Sequence, residues 1–168
     1  MTKALPLPSQ ERLKELIEYN PVTGVCKRII DSGNRKAGDK IGCLQKQKGY
    51  LTGSIDGQNY QVHRLIWMYW YGVDPGSKQV DHKNKIRSDN WIENLRLGTN
   101  QQNLYNMSAS GEVPYKGVTL CKRTGLYIAR IFPSGKNISL GRYKTAEEAS
   151  EAYMKAAKQF YGEYACST

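Results

Sequence analysis

Four side chains in the middle of the chain have the types and spacing needed to hydrolyse a phosphodiester bond. Asp81 and His82 end a short predicted strand, QVDH, and eleven residues rich in turn formers separate His82 from Asn94. Asn103 falls on a predicted helix that Thr99 can cap. A hard divalent cation such as Mg²⁺ prefers oxygen ligands, which Asp81 and the Asn103 side-chain carbonyl offer. A histidine with a pKa near neutrality can take a proton from an attacking water, while Asn94 anchors the loop by bonding to its backbone.

Two strands and a helix must position these side chains. The strand that ends at His82, a second strand at residues 95–97 and the helix after Thr99 form a predicted ββα unit. Upstream, alternating apolar residues between turn formers predict a β-rich region with a hairpin at Asp56-Gly57. The predicted helices there cover residues 9–19 and 63–71, and the predicted strands cover residues 25–30, 40–44, 50–55 and 60–62. His63 opens the second helix and is predicted to be structural.

The C-terminal part, from Tyr115 to about Cys166, combines a basic sheet with an apolar helix. Seven basic residues and no acidic ones lie between Tyr115 and Lys144, over predicted strands at residues 116–120, 126–132 and 137–141. Thr145 and Glu148 have the spacing of a capping box. The helix that they open carries an apolar stripe made of Ala149, Ala152, Tyr153, Ala156, Ala157 and Phe160. We expect this helix to cover one face of the sheet and leave the other face for DNA.

The overall charge also indicates a polyanionic partner. The chain of 168 residues has 25 Lys and Arg against 15 Asp and Glu, a formal net charge of +10 and a pI of about 9.4. Its four cysteines form no C-x-x-C pair, so we expect no zinc site. No apolar run reaches the length of a membrane span, and the N-terminal sequence lacks the features of a secretory signal. We therefore expect a cytoplasmic protein without a membrane partner.

The central segments HRLIWMYWYG and VDHKNKIRSDNWIENLRLGTNQQNLYN resemble the HNH homing endonucleases found in phages and their introns. The resemblance implies that His82 is the general base and that Asp81 and Asn103 bind the metal. It also implies that Asn94 organises the loop, and that cleavage leaves 5′-phosphate and 3′-hydroxyl ends. Arg96, directly after Asn94-Leu95, can either contact a phosphate or form a surface salt bridge.

The C-terminal segments YKGVTLCKRTGLYIARI and ISLGRYKTAEEASEAYMKAAKQFYG resemble the AP2 domain, known from plant transcription factors and from phage HNH endonucleases. In that family a three-stranded antiparallel sheet enters the major groove of DNA. Ser139 stands where the plant proteins carry a DNA-contacting Trp, so their base preference is not expected here. Four positions that face DNA in the family, and two basic residues near the first turn, are the DNA-binding candidates: Lys116, Arg130, Asn137 and Ser139, with Lys122 and Arg123.

The predicted fold is α+β, with a ββα-metal nuclease core, an N-terminal β-rich extension and a three-stranded antiparallel sheet with a packed helix. The expected divisions are 1–58 for a DNA-contacting region, 59–106 for the nuclease core, 107–114 for a linker and 115–166 for the AP2-like domain. We expect a site-specific endonuclease for double-stranded DNA that uses Mg²⁺ or Mn²⁺ and acts, as a monomer or homodimer, in the cytoplasm of a phage-infected bacterium. The alternatives are a non-catalytic DNA-binding regulator on the same scaffold and a nuclease specific for junctions or packaged DNA.

Overall fold

Small antiparallel sheets and four α-helices make up the regular structure of residues 5–166, the part of the chain that the computed structural model describes. The predicted α+β class is confirmed. Contacts within the chain group it into two units that divide between Thr99 and Asn100, and we call them the first and second units. Among the described residues, no helix combines the length and the apolar character needed to cross a membrane.

The first unit begins with a capped helix, α1 (Gln10–Leu16), and a strand, β1 (Ile17–Tyr19). The Ser9 hydroxyl accepts a hydrogen bond of 3.2 Å from the backbone N–H of Arg12, so the predicted N-cap is confirmed. The prediction that this helix extends to residue 19 is wrong. β1 pairs antiparallel with β2 (Cys26–Arg28), and its burial alternates along Ile17, Glu18 and Tyr19 as a half-buried strand requires.

A three-stranded sheet and a buried helix follow. The strands are β3 (Cys43–Leu44), β4 (Leu51–Ile55) and β5 (Gln58–Gln61), and the helix is α2 (Val62–Tyr71). β4 lies between its two neighbours, and Ile55 pairs with Gln58 across a two-residue turn. Asp56 and Gly57, the two turn residues, both have positive φ, as a type I′ turn needs. The hairpin predicted at this position is therefore confirmed.

The last hairpin of the first unit carries the candidate site. It consists of β6 (Gln79–His82) and β7 (Leu95–Gly98), which pair antiparallel. Val80 and Leu95 anchor it in the same core as Leu13 of α1 and Leu65 of α2. Burial of such side chains stabilises a fold by about 1.5–3 kcal/mol each. The end of β6 is therefore fixed by apolar packing and not only by its own loop.

The second unit begins with helix α3 (Asn100–Asn106), which differs from the predicted division of the chain. We expected this helix in the nuclease core, separated from the C-terminal domain by a linker at residues 107–114. Contacts within the chain instead group this helix with the C-terminal part, where the ring of Tyr105 stacks on that of Tyr161 at a centroid distance of 3.7 Å. Residues 107–114 therefore connect two elements of one unit.

A sheet covered by one long helix completes the second unit. Its strands are β8 (Val118–Cys121), β9 (Leu126–Ile131) and β10 (Ile138–Tyr143), with β9 in the middle, and the helix is α4 (Ala146–Tyr161). Both hydrogen bonds of the predicted capping box are present at Thr145 and Glu148. The apolar stripe of α4 differs from the prediction at its end, because Phe160 is exposed and the next residue, Tyr161, is buried.

Candidate active site

Asp81 and His82 stand at the end of β6, one partly exposed and the other buried. His82 pairs with Leu95 across the hairpin and is 2% exposed, whereas Asp81 pairs with Arg96 and keeps a fifth of its side chain exposed. The loop that joins the two strands begins immediately after His82. The strand end thus presents a carboxylate and an imidazole as neighbours, as the sequence predicted.

Asn94 ties together the two ends of this loop. Its Oδ1 accepts a hydrogen bond of 3.0 Å from the backbone N–H of Asn84, and its Nδ2 donates to the carbonyl of Asp89 at 2.7 Å. Its backbone carbonyl accepts a further bond of 2.9 Å from the N–H of Lys83. Because these bonds link residues just after His82 to residues just before β7, they restrict the conformations that the loop can adopt.

A second amide in the same loop contacts the imidazole itself. Oδ1 of Asn90 lies 2.8 Å from Nε2 of His82, and both residues are 2% exposed. Burial lowers the pKa of His82 below its ordinary value, although the bond to Asn90 and the nearby carboxylates of Asp81 and Asp89 act in the opposite direction. The ring is therefore neutral at neutral pH, which is the form that can accept a proton. Sequence reasoning missed Asn90, because nothing in a run of turn formers shows which amide turns inward.

Two further rings enclose the imidazole of His82. The ring of His63 packs edge to face against it at a centroid distance of 5.1 Å, and Tyr50 lies 5.1 Å from His63 and 6.1 Å from His82. The guanidinium of Arg87 stacks over Tyr50 at 5.0 Å and donates to the carbonyl of Lys48, which attaches the loop to the β3–β4 connection. Burial lowers the pKa of His63 to about 3, so this ring is neutral as well.

Arg96 does not extend to the surface, where the sequence allowed a phosphate contact or a surface salt bridge. Its side chain is 7% exposed, and its Nη2 lies 3.2 Å from Oδ2 of Asp81 in a largely buried ion pair. Removing one partner of such a pair leaves a charge with less compensation, which is destabilising. The geometry assigns Arg96 to holding the carboxylate of Asp81, and the expected phosphate contact is not supported.

A hard divalent cation fits the donor chemistry of Asp81. Its carboxylate is a partly exposed oxygen donor, and such cations take oxygen ligands while keeping several waters. The other predicted ligand, Asn103, has an amide oxygen of the same kind but lies on α3, in the second unit. Its assignment therefore rests on its position in the sequence motif. No cluster of three His, Cys, Asp or Glu side chains suited to a metal occurs within residues 5–166.

The sheet of the second unit turns one face away from α4, and this face is basic. Arg130 of β9 lies opposite Ser139 of β10, and both are exposed. Arg142 pairs with Ile128, so it falls on the same face, although it was not among the predicted residues. Asn137 precedes β10, and Arg123 lies in the β8–β9 turn; both are exposed. Lys122, in the same turn, forms a long, exposed ion pair of 3.7 Å with Glu112.

Lys116 has a structural position instead of the expected place on the DNA-facing surface. Its Nζ donates to three backbone carbonyls at the end of α3, those of Leu104, Tyr105 and Met107, at 2.7–2.8 Å. A cation at this end of a helix satisfies carbonyls that lack a partner within the helix and interacts favourably with its dipole. Its DNA-contacting role is therefore not supported.

The region that contains this site is shared with known proteins. A family model described as HNH endonuclease matches residues 60–105. A protein of Acanthamoeba polyphaga mimivirus, described as an uncharacterized HNH endonuclease, is 32% identical over 133 residues, which cover 76% of this chain and 70% of the viral protein. The chain therefore belongs to the HNH endonuclease family.

The C-terminal part is similar to different proteins. It is 44% identical over 48 residues to an AP2-like ethylene-responsive transcription factor of Arabidopsis thaliana and to APETALA2-like protein 2 of rice. These matches cover 29% of this chain but only 10–11% of the plant proteins. A solved structure of the HNH homing endonuclease I-HmuI aligns with this chain at 19% identity and a TM-score of 0.44. The alignment covers 94% of this chain and 91% of the I-HmuI chain.

Proposed function

We propose that this protein is a metal-dependent endonuclease that cuts double-stranded DNA at specific sites. The observation that carries the proposal is the neutral imidazole of His82, fixed by Asn90 beside the carboxylate of Asp81, in a chain of the HNH endonuclease family. A neutral imidazole can accept a proton, and a partly exposed carboxylate can bind a hard cation. The proposed hydrolysis of a phosphodiester uses both groups.

His82 acts as the general base in this proposal. It takes a proton from the water that attacks phosphorus, and the bonds made by Asn94 keep the loop beside it in one conformation. Asp81 and Asn103 would hold Mg²⁺ or Mn²⁺, which when bound stabilises the charge that develops on the phosphoryl and leaving oxygens. Arg96 keeps the carboxylate of Asp81 in place through its ion pair. The expected products carry 5′-phosphate and 3′-hydroxyl ends.

The second unit supplies DNA binding in this proposal, in the manner of an AP2 domain. Support comes from the three-stranded sheet backed by α4, from its basic outer face and from the identity with AP2-like proteins. A tethered second binding module raises the effective concentration of each module at its site. The residues that carry this role are Arg130, Ser139 and Arg142 on the sheet, with Lys122, Arg123 and Asn137 at its ends.

Conversion of supercoiled plasmid or phage DNA to nicked and linear forms tests the proposal, with Mg²⁺, with Mn²⁺ and with a chelator. We expect metal-dependent cuts for the wild type and a loss of about 100-fold or more for His82→Ala, since a positioned base contributes roughly 10²–10⁴-fold. DNA affinity of this variant should stay within about twofold, because the side chain is buried.

Two outcomes would contradict this assignment. Equal losses of cleavage and of binding in His82→Ala would show that the residue supports the fold or the interface and not the chemistry. Tight, salt-sensitive binding without cleavage in any metal would instead favour a non-catalytic DNA-binding regulator on the same scaffold.

A further inference from the structure

The contact between Asn90 and His82 determines which ring nitrogen carries the proton. Oδ1 of Asn90 lies 2.8 Å from Nε2 of His82, and an amide oxygen can only accept a hydrogen bond. In the neutral imidazole the proton is then on Nε2, and Nδ1 holds the basic lone pair. The bond therefore sets the tautomer as well as the orientation of the ring.

The N-terminal segment holds the backbone of Asn90 in place from outside the loop. The Tyr19 hydroxyl donates to the carbonyl of Asn90 at 2.9 Å, and the N–H of Ile92 donates to the carbonyl of Pro21 at 3.1 Å. Gly24 packs so closely that a Cβ there would lie 2.5 Å from the carbonyl carbon of Asn90. The amide therefore has a fixed base from which it reaches the imidazole.

The surroundings of Asn90 do not otherwise explain a buried amide. Its Nδ2 is buried and lacks a hydrogen-bond partner within the described residues 5–166, which is unfavourable for folding. A leucine, which branches at Cγ as asparagine does, would avoid this orphan donor. The hydrogen bond that Asn90 accepts from Nε2 of His82 therefore explains why an amide occupies this buried position.

We propose that Asn90 is a positioning residue that fixes the Nε2–H tautomer of His82 and leaves Nδ1 as the nitrogen that accepts a proton from water. The catalytic meaning of this tautomer rests on the proposed function, whereas the tautomer itself is independent of it. In a chymotrypsin-like protease, substitution of the residue that orients the catalytic histidine leaves the wrong tautomer and slows the reaction strongly.

The tautomer can be observed directly by NMR. The chain has two histidines, so a protein labelled with ¹⁵N-histidine shows two rings, and His82→Ala leaves only the signals of His63. Above neutral pH, both rings are neutral, and we expect a protonated Nε2 and a pyridine-like Nδ1 for His82. A proton on Nδ1 of His82 in the wild type would overturn the proposal.

Three variants connect the tautomer with cleavage. Asn90→Leu removes the acceptor, Asn90→Asp keeps an acceptor oxygen but cannot donate, and Asn59→Leu is the matched control at an exposed asparagine. For Asn90→Leu we expect a loss of the single tautomer and a kcat lower by about 10- to 100-fold, part of the roughly 10²–10⁴-fold effect of a base. Its KM should stay within about twofold, and Asn90→Asp should keep most of the wild-type kcat.

A folded Asn90→Leu protein with wild-type kcat would overturn the proposal, as would an equal loss in Asn90→Asp. If Asn90→Leu does not fold, the tautomer of the wild type and the rate of Asn90→Asp decide the matter. Failure of the proposed function can be distinguished from failure of the Asn90 proposal. It would appear as cleavage at the wild-type rate by His82→Ala, whichever tautomer the NMR spectrum shows.

Discussion

The two imidazoles of the first unit are buried side by side, and burial keeps both of them uncharged. The pKa of His63 falls to about 3 because the ring is desolvated and lies near His82 and Arg64, and desolvation also lowers the pKa of His82. A positive charge on either ring would lower the pKa of the other, so the two rings do not become protonated together. Desolvation is the main reason that His82 stays in the form that can act as a base.

This arrangement predicts that the protein loses stability as the pH falls. In the unfolded chain both histidines titrate near pH 6.5, so below that pH the unfolded state binds more protons than the folded state. The free energy of unfolding should be level above about pH 7 and fall below it by about 1.4 kcal/mol per pH unit for His63, with His82 adding to the loss in the same direction. Urea unfolding between about pH 7.5 and about pH 4.5 measures this slope.

His63→Phe is the control for this prediction, because it replaces one titrating ring with an apolar one of similar shape. For this variant, the unfolding free energy should fall less steeply with decreasing pH than for the wild type. The difference corresponds to about one bound proton. Comparing the two proteins cancels the titration of the carboxylates. Equal slopes would mean that His63 is protonated, or accessible, in the folded state.

At this scale the sequence identified the residues that follow one another along the motif, but not those brought together by folding. Asp81, His82 and Asn94 were identifiable by type and spacing. Arg96 was ambiguous, because a sequence does not show whether a guanidinium meets a phosphate or a carboxylate of the same hairpin. Asn90 was missed, since its importance depends on a tertiary contact.

Helix α3 is a short element that depends on its neighbours for stability. Isolated helices of fewer than about 12–15 residues are marginal in water, and α3 has seven residues. The ammonium of Lys116 bonds to three carbonyls at its end, and the ring of Tyr105 stacks on Tyr161. These contacts stabilise a helix that is too short to be stable by itself.

We predict that Lys116→Met destabilises α3 whereas Lys122→Met does not. The first change removes a charged donor from three carbonyls, which should cost about 1–2 kcal/mol. The second removes only an exposed ion pair of 3.7 Å, for which the change should stay within about 0.5 kcal/mol. Hydrogen exchange of the α3 amides, with urea unfolding of the whole protein, reports both effects. Similar protection in the two variants would show that Lys116 does not support the helix.

Local elements were predictable because their determinants are local. The Asp56-Gly57 hairpin and the capping box at Thr145 and Glu148 each depend on residues within one turn, and both formed as expected. β1 was mistaken for the end of a helix, because its partner strand follows only after an intervening turn. The end of the α4 stripe was misassigned at Phe160 for a similar reason, since the fold decides which of two adjacent aromatic residues is buried.

The charges behind the net charge of +10 are distributed unevenly over the protein surface. In the second unit, Arg130 and Arg142 lie on the sheet face turned away from α4, while α4 carries Glu147, Glu148 and Glu151 beside its own lysines. A face with cations and no carboxylates suits a phosphate backbone better than a helix with charges of both signs.

Charge reversal should distinguish these two faces. The double variant Arg130→Glu with Arg142→Glu should weaken DNA binding by about 10-fold or more and reduce the slope of log K against log salt by roughly 2, about 0.9 for each lost phosphate contact. The matched control, Lys155→Glu with Lys158→Glu on exposed positions of α4, changes net charge equally. Binding assays over a range of salt concentrations measure both. Equal effects would mean that only the total charge matters.

The division at Thr99 and Asn100 also limits where recombination with a related sequence can join two folded units. The segment matched by the HNH family model, residues 60–105, runs across this division, so the inherited motif and the folded unit do not share a boundary. A recombination crossover in the polar stretch after residue 106 would leave α3 without Lys116 and Tyr161. A crossover at residue 99 would instead transfer that helix together with Lys116 and Tyr161, so chimeras joined there should keep α3 folded.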